Sequence, residues 1–581
     1  MKKKKEILDE GKISKIAIIL LIIVPFLVFF QSTNFGFVWD DLPLYLNNNH
    51  FPSGNPFHNL FTFFVPKSNE MYIPITYFFW AILTFLSGAE FNPAIFHLFS
   101  IIIHIINGIL IFYIIKYIFK DKLFSLFGAM LFALHPIQVE AVAWVSEQRG
   151  LLSGLFGFLS IYFYIYYYQN KINSEQLDKN QKSETSDKFN PNTKYLMFAG
   201  VSLIFSVLSK PSGVVFPFII FLIDMMLIRE KIIATIKRTW FYIILIIPVF
   251  ILTLFSETES KTDLSVNIFL RPLIFLDSIG FYIKQIIFPL DLAANYGRTP
   301  TFVLENPLSL VIHIILAISL LLIFLFKKNK KLLFGYFIFI AGFLPLSGLV
   351  SFYYQLFSTV ADRYLYFSMF GVSIIFVGLI TEIKKQNTRN IFSVTYLFVL
   401  TIVTFSQIPV WKDEISLWNN SIKKYPDISA YSYFARGNAL MEAGKNQEAI
   451  LDFTAAVRLD STLELAYYNR GNIYFDIRNF SAAIADYSST LKLNPKNLNA
   501  LINRGLSYLD INMFDKAISD FSLALDIDPT KSDVYVNRGI AYANLDNLEL
   551  AIKDFQYALK INPDDEIAKE NLKMALESKN K

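Results

Sequence analysis

The stretch YYNRGNIY at residues 467–474 returns as LINRGLSY at 501–508 and as YVNRGIAY at 535–542. The Arg-Gly pair at its centre also stands at Arg436-Gly437, so four such pairs follow one another at intervals of 34 residues. A fixed period of this length indicates stacked helix–turn–helix units, each of which buries its apolar face against the next. The C-terminal part of the chain is therefore predicted to be a helical solenoid.

The spacing inside each unit is typical of a tetratricopeptide repeat (TPR). In the last unit Gly539, Ala551 and Ala558 are small enough for two helices to approach closely, and aromatic residues fill the space between them. Pro563 ends the second helix because proline lacks an N–H and clashes with the preceding turn. The predicted units are 431–464, 465–498, 499–532 and 533–566, with a polar capping helix at 567–578.

These repeats have two possible roles. They could only pack against the rest of the protein and stabilise it. Alternatively, they could present a concave surface that binds a peptide or partner protein, as solenoids commonly do. The sequence favours the second role, and it does not identify the peptide.

The part of the chain before the repeats has the composition of a membrane protein, because 54% of all residues are hydrophobic and 59 are Phe. Roughly 17–25 apolar residues span the ~30 Å hydrocarbon core of a bilayer. The predicted fold class is therefore all-α, with a polytopic helical membrane domain at 1–412, a linker or helix at 413–430 and the TPR domain at 431–581. Eleven spans are predicted, at about 14–31, 94–117, 123–136, 150–168, 195–209, 213–228, 239–255, 307–326, 332–349, 366–382 and 391–409.

The distribution of Lys and Arg predicts the orientation. With eleven spans, the basic loops fall on the same side as Lys2–Lys5, which precede the first span. Cytoplasmic loops are enriched in Lys and Arg, so we expect a multi-pass protein of the cell (inner) membrane with its N-terminus in the cytoplasm and its TPR domain outside. The polar segment 170–194 is predicted to be a flexible cytoplasmic linker.

Two features of the composition exclude classes of site and partner. The chain contains no cysteine, which excludes disulfide bonds and thiolate metal sites. The net charge of +5 is explained by the cytoplasmic loops, so nucleic acid is not a predicted partner.

The first candidate site residues are Asp40 and Asp41, which open the predicted external loop 32–93. Two adjacent carboxylates at a membrane surface are costly unless they are solvated, paired or metal-bound. They are candidates for catalysis. The alternative is a helix N-cap beside an interfacial tryptophan, here Trp39.

Other polar residues gather on the same predicted side. Arg149, Lys210 and Arg363 depart from the rule that short external loops avoid positive charge. Cations beside a carboxylate pair suit an anionic, lipid-linked substrate, because the planar guanidinium of Arg binds phosphate oxygens through two parallel bonds. The alternative is that these side chains extend to the interface and anchor lipid headgroups. Further candidates for the external site are His135, Glu140 and Tyr364.

Seven short motifs lie around these residues. They are FVWDD at 37–41, YIPIT at 72–76, FH at 96–97, LHPIQVEAVAW at 134–144, QRG at 148–150, LSKP at 208–211 and ADRY at 361–364. These motifs resemble those of the transmembrane and TPR O-mannosyltransferases and of bacterial relatives with the same GT-C architecture, so the resemblance implies a GT-C-like membrane domain. It also implies a polyprenyl-phosphate sugar donor, an inverting transfer outside the cytoplasm and a catalytic Asp in the first external loop. On this chain Asp40 is the preferred base, and Asp41 would orient it or bind a metal.

The chain departs from the family pattern at two positions. Pro211 stands where the family usually has an acidic residue after Leu-Ser-Lys, and Asp362 replaces the commoner Glu before Arg363. Both departures bear on the specificity for donor and acceptor more than on the type of reaction.

The sequence thus predicts a lipid-linked-sugar-dependent hexosyltransferase that moves a sugar, with mannose as the candidate, to an acceptor, with protein Ser/Thr as the candidate. A divalent metal is an open alternative as cofactor, and no metal ligand is assigned. Two other functions stay open: a non-enzymatic TPR scaffold for envelope assembly, and a transporter of lipid-linked sugars. A transporter needs charges inside its spans, and the sequence offers few, such as Asp224 and Asp277.

Overall fold

The computed structural model describes residues 2–41, 60–66, 71–87, 92–181, 193–228, 232–256 and 266–580. Within these ranges every regular element is a helix and no strand occurs, which confirms the predicted all-α class. The chain forms two compact units, Met1–Lys424 and Tyr425–Lys581. Residues 42–59, 67–70 and 88–91 of the predicted first external loop, and residues 182–192 of the predicted linker, lie outside the described part.

The first unit is built from sixteen α-helices within the described ranges. They are α1 (Lys2–Phe29), α2 (Pro74–Leu86), α3 (Pro93–Phe119), α4 (Lys122–Leu134), α5 (Val139–Ala143), α6 (Gln148–Gln181), α7 (Thr193–Ser209), α8 (Phe216–Ile223), α9 (Ile232–Ser256), α10 (Arg271–Ile287), α11 (Pro300–Glu305), α12 (Pro307–Phe326), α13 (Lys330–Phe343), α14 (Ser368–Ile380), α15 (Gln386–Gln407) and α16 (Glu414–Lys424). The first residues of the predicted flexible linker are helical, since α6 continues to Gln181.

Several helical stretches are long and apolar enough to cross a bilayer, which makes this a multi-pass membrane protein. In the described residues there are six, or seven if the bent pair Lys122–Leu134 and Pro136–Ala143 forms one span. Three shorter apolar helices, α2, α7 and α14, add to these. The predicted span 239–255 falls in α9, whereas the predicted span 332–349 lies only partly in α13, which ends at Phe343. The count of eleven spans stays a prediction. The six are Ser14–Asn34, Pro93–Phe119, Val145–Lys171, Pro211–Ile228, Pro307–Phe326 and Gln386–Trp411.

The helices of this unit differ in how much of their surface is buried. Two thirds of the span in α3 is buried (67%), whereas only 22% of the spans in α12 and α15 is buried. Leu308 and Phe398 are among the apolar side chains that these two helices expose. This arrangement places α3 in the core and gives α12 and α15 surfaces suited to lipid.

Close helix packing positions the loop that carries Asp362 and Arg363. A Cβ atom on Gly335 of α13 would lie 2.8 Å from the carbonyl oxygen of Gly371 in α14, which is closer than Cβ atoms come. Only glycine allows these two backbones to touch at this point. The segment between α13 and α14 therefore starts and ends on a fixed pair of helices.

The second unit consists of four helix pairs and a final helix, as predicted for TPRs. The helices are α17 (Ala430–Glu442), α18 (Asn446–Leu459), α19 (Glu464–Asp476), α20 (Phe480–Leu493), α21 (Leu498–Asp510), α22 (Phe514–Ile527), α23 (Ser532–Asn544), α24 (Leu548–Ile561) and α25 (Glu566–Lys579).

The structure explains why an Arg-Gly pair recurs. Each Gly faces an aromatic ring of the second helix of its unit: a Cβ atom on Gly471 would lie 2.9 Å from the ring of Tyr487. Each Arg binds an Asp sixteen residues later through two nitrogens, as Arg470 does with Asp486 at 2.8 and 2.7 Å. We call these pairs the arginine ladder; they are Arg436–Asp452, Arg470–Asp486, Arg504–Asp520 and Arg538–Asp554.

Candidate functional site

Asp41 is fully buried and binds the chain through both carboxylate oxygens. Its Oδ2 accepts a hydrogen bond from the backbone N–H of Val38 at 3.0 Å. Its Oδ1 accepts from the backbone N–H and the hydroxyl of Ser146, at 2.8 and 2.6 Å. Burial raises the pKa of Asp41 to about 7 against the effect of these bonds. Asp41 therefore fixes the turn 38–41 to the turn Val145–Glu147.

Asp40 lies in a different environment, although it is the next residue. It is partly exposed, and its carboxylate makes no hydrogen bond or ion pair with the part of the chain that the structure describes. Burial raises the pKa of Asp40, and the nearby charges of Arg149 and Arg363 oppose this rise. Within the described residues nothing occupies this carboxylate, which leaves it available to bind an outside group there.

Glu147 brings together the three cations predicted from the sequence. Its Oε2 lies 2.6 Å from Nζ of Lys210, and its Oε1 lies 3.2 Å from Nη2 of Arg149. Nε of Arg363 is 4.0 Å from the same Oε1. The Glu147 side chain is only 1% exposed, while those of Arg149 and Lys210 keep 11% and 13%. We call Glu147 and these three cations the cation cluster.

Two buried polar side chains, Gln148 and Thr76, hold the loops of this cluster in place through hydrogen bonds. Gln148 at the start of α6 donates to the carbonyl of Phe96 at 2.7 Å and accepts from Nε1 of Trp80 at 2.9 Å. Thr76, in the YIPIT motif, donates to the carbonyl of Ser209 at 2.8 Å. These contacts fix the backbone next to Arg149 and next to Lys210.

Arg363 is the most buried of the three cations in the cluster, with 5% of its side chain exposed. Its backbone N–H and its guanidinium both donate to the carboxylate of Glu140. Aromatic rings surround the guanidinium at 4.2–5.3 Å from their centroids, which favours a positive charge there. These rings belong to Trp39, Trp144, Tyr354 and Tyr364.

Two residues near the cluster point elsewhere. Asp362 accepts a hydrogen bond from Tyr296 at 2.6 Å, and burial holds the pKa of Asp362 well above its ordinary value. His135 uses both ring nitrogens on the backbone: Nδ1 accepts from the N–H of Ile137 at 3.2 Å, and Nε2 lies 3.0 Å from the carbonyl of Ile286. His135 therefore shapes the start of its turn and does not join the cluster.

The structure thus brings most of the predicted site residues together, from loops far apart in sequence. The residues that meet are Asp40, Glu140, Arg149, Lys210, Arg363 and Tyr364.

Sequence reasoning did not assign Glu147 or Ser146, although both stand directly before Gln148-Arg149. The run Ser146-Glu147 beside a predicted cation was the available signal. Within the described residues, no group of three or more His, Asp or Glu is arranged to hold a metal ion.

An apolar groove of about 550 Å³ begins four residues after Lys210. It runs between α8 and α9, and its walls include Val214, Phe218, Ile236 and Trp240. Such a groove between two membrane helices can hold a hydrocarbon chain.

Comparisons with known proteins find matches to both the repeats and the membrane domain. Models of the tetratricopeptide repeat match residues 465–497, 498–531 and 532–565, and a model of the TPR repeat matches 437–478. The crystal structure of MamA protein is 28% identical, covers 26% of this chain and 81% of that chain, and gives a TM-score of 0.25.

The curated relatives are O-mannosyl-transferases by name. Protein O-mannosyl-transferase F38B6.6 of Caenorhabditis elegans is 22% identical over 78% of this chain and 64% of its own length. Protein O-mannosyl-transferase TMTC3 of Mus musculus is 30% identical over 25% of this chain and 17% of its own length. The matched region spans less than two thirds of either relative. The resemblance predicted from the motifs is confirmed as distant homology to these transferases.

Proposed function

We propose that this chain is a membrane glycosyltransferase that moves a sugar from a polyprenyl-phosphate donor to an acceptor hydroxyl outside the cytoplasm. The names of the relatives point to mannose as the sugar and to protein as the acceptor. The observation that carries the proposal is the Asp40 carboxylate, which has no partner in the described chain and lies in the field of Arg149 and Arg363.

Asp40 has the properties of a general base for this reaction. It accepts the proton of the acceptor hydroxyl while the hydroxyl oxygen attacks the anomeric carbon. The bond between that carbon and the phosphate oxygen breaks on the opposite face of the sugar, so the configuration inverts. Asp41 cannot take this part without breaking its bonds to Ser146 and Val38, so its part is to orient the turn.

The cation cluster suits the leaving phosphate. Negative charge develops on the lipid phosphate as it departs, and preorganised cations stabilise that charge without further reorganisation. Arg149 and Lys210 retain N–H groups beyond those bound by Glu147, because a guanidinium has five and an ammonium three. Glu147 holds these cations together against their mutual repulsion while the site is empty.

The polyprenyl chain has a matching surface in the groove between α8 and α9, whose lining is mostly apolar and includes Val214, four residues after Lys210 in the sequence. The TPR domain, which we place outside the cytoplasm, would bind the acceptor protein or a partner. A parallel assay with an added divalent cation tests whether transfer depends on a metal.

The direct test uses purified full-length protein in lipid nanodiscs with synthetic polyprenyl-phosphate mannose and a Ser/Thr-rich acceptor peptide. Released polyprenyl phosphate and glycosylated peptide are measured together. We expect transfer by the wild type, loss of transfer in Asp40→Asn, and wild-type transfer in the control Asp291→Asn, which replaces an exposed carboxylate.

Full transfer by Asp40→Asn would overturn the assignment of the base. The scaffold alternative makes a different prediction. Envelope assembly would then be unaffected by Asp40→Asn and lost on deletion of the TPR domain.

A further inference from the structure

The backbone immediately before Asp40 has an unusual conformation. Trp39 has φ 57°, in the left-handed region that bulky side chains rarely adopt. Such a conformation persists only where the surrounding structure holds it in place. The contacts of Trp39 therefore decide in which direction the next residue, Asp40, projects its side chain.

The contacts of Trp39 come from several parts of the first unit. Its ring stacks on Trp144 with the centroids 4.7 Å apart and the planes at 11°, and it also contacts Tyr354 and the guanidinium of Arg363. Two further neighbours lie on α16, the helix that follows the last predicted span. Glu414 accepts a hydrogen bond from the backbone N–H of Trp39 at 3.2 Å, and the ring of Trp418 meets that of Trp39 edge to face at 5.2 Å.

Helix α16 is itself well anchored. Asp413 caps its first turn by accepting from the N–H of Ser416 at 2.7 Å. Trp418 is 1% exposed, and Asn420 donates to the carbonyl of Leu292 at 2.9 Å. The helix therefore offers a firm support to the turn 38–41.

We infer that Glu414 and Trp418 of α16 are positioning residues for Asp40, so that the site of transfer includes a helix beyond the predicted membrane domain 1–412. The inference rests on the proposed function, because it assigns Asp40 the role of base. Glu414 binds the backbone N–H of Trp39, and Trp418 packs edge to face against the Trp39 ring. Without them the turn relaxes and the Asp40 carboxylate moves away from the acceptor hydroxyl.

The kinetic test compares Glu414→Ala and Trp418→Ala with the wild type, per folded molecule. A displacement of about 1 Å at a reacting group lowers a rate by about 100-fold, so we expect kcat to fall about 10- to 100-fold with little change in the KM for the donor. Glu414→Gln keeps an oxygen that accepts the same bond and should restore most of kcat. The control is Glu382→Ala, which removes a carboxylate that binds Lys327 instead.

A second measurement does not depend on transfer. The chain has no cysteine, so Asp40→Cys introduces a single thiol whose reaction with an anionic and a cationic methanethiosulfonate can be compared. Beside Arg149 and Arg363 the anionic reagent should be favoured, and adding Glu414→Ala should reduce this preference to that of Asp291→Cys.

The two experiments separate the two claims. If the wild type transfers sugar but neither kcat nor the reagent preference responds to Glu414→Ala, the positioning role is wrong. If the wild type transfers nothing but the preference falls, the positioning holds and the proposed reaction is wrong.

Discussion

In the TPR domain each arginine of the ladder has an aspartate of its own, whereas in the membrane domain three cations share Glu147. The ladder pairs repeat one geometry, with the partner always sixteen residues later. The cation cluster joins loops 63 and 216 residues away from Glu147, at Lys210 and Arg363. In the ladder, each Arg–Asp ion pair stabilises the fold of its own repeat. In the cation cluster, the single carboxylate of Glu147 does not bind all the N–H groups of Arg149 and Lys210. The second arrangement is the one that suits a binding site.

The largest expected effect compares Asp40, whose carboxylate has no partner among the described residues, with Asp486, whose carboxylate binds Arg470. Asp40→Asn should lower kcat for transfer by about 100- to 10,000-fold, the usual contribution of a general base. Asp486→Asn, in the ladder, should leave kcat unchanged because Asp486 binds only within its own domain. Both rates are measured by release of polyprenyl phosphate. Equal losses in the two variants would remove the distinction between the regions.

The next effect concerns the cation that the aromatic rings surround. Arg363→Gln should lower kcat about 100-fold, because it removes a preorganised donor from the developing phosphate charge. It also leaves Glu140 without its cation. Arg504→Gln in the ladder is the matched control for steady-state kinetics. A wild-type kcat in Arg363→Gln would exclude this residue from the transition state.

A smaller effect is expected when an Arg–Asp pair of the ladder is broken. Asp486→Ala leaves Arg470 partly buried without its carboxylate, which should cost about 2 kcal/mol of unfolding free energy. Hydrogen exchange of TPR peptides in the full-length protein measures this loss. The double variant Arg470→Ala with Asp486→Ala should recover part of it. No recovery would mean that the two residues do not act as a pair.

The smallest expected effect is a shift in pH dependence. Transfer requires Asp40 to be deprotonated, so the rate should fall with decreasing pH through the pKa of Asp40, which burial raises above the ordinary value. Arg149 lowers that pKa, so Arg149→Gln should move the acidic limb of the pH–rate profile to higher pH. A shift to lower pH would contradict the electrostatic link between the two residues.

The two regions also differ in how far sequence alone predicts them. The TPR helices follow from a period and from spacings inside one unit, because each unit buries its apolar face against its sequence neighbours. The three cations were predicted from a topological rule about external loops. Their common partner Glu147 was not assigned, although it stands two residues before Arg149, because Lys210 and Arg363 reach it from loops far away in the sequence.

The choice between Asp40 and Asp41 lay beyond the sequence for another reason. The two carboxylates are adjacent and chemically identical, and only the direction of each side chain separates them. That direction depends on the left-handed backbone at Trp39 and on the hydroxyl of Ser146. Neither is visible without the fold.

One further contact of the arginine ladder bears on how such an array can grow. Arg470, Arg504 and Arg538 each donate a third bond, at 2.8–3.1 Å, to a hydroxyl in the preceding unit, from Thr454, Ser488 or Ser522. Duplication of the DNA that encodes one complete 34-residue unit would place the same Arg and hydroxyl residues on the two sides of the new junction, so the same hydrogen bonds could form there. The array can thus gain or lose complete units while the contacts between neighbouring units stay the same. Its length can therefore evolve separately from the chemistry of the membrane domain.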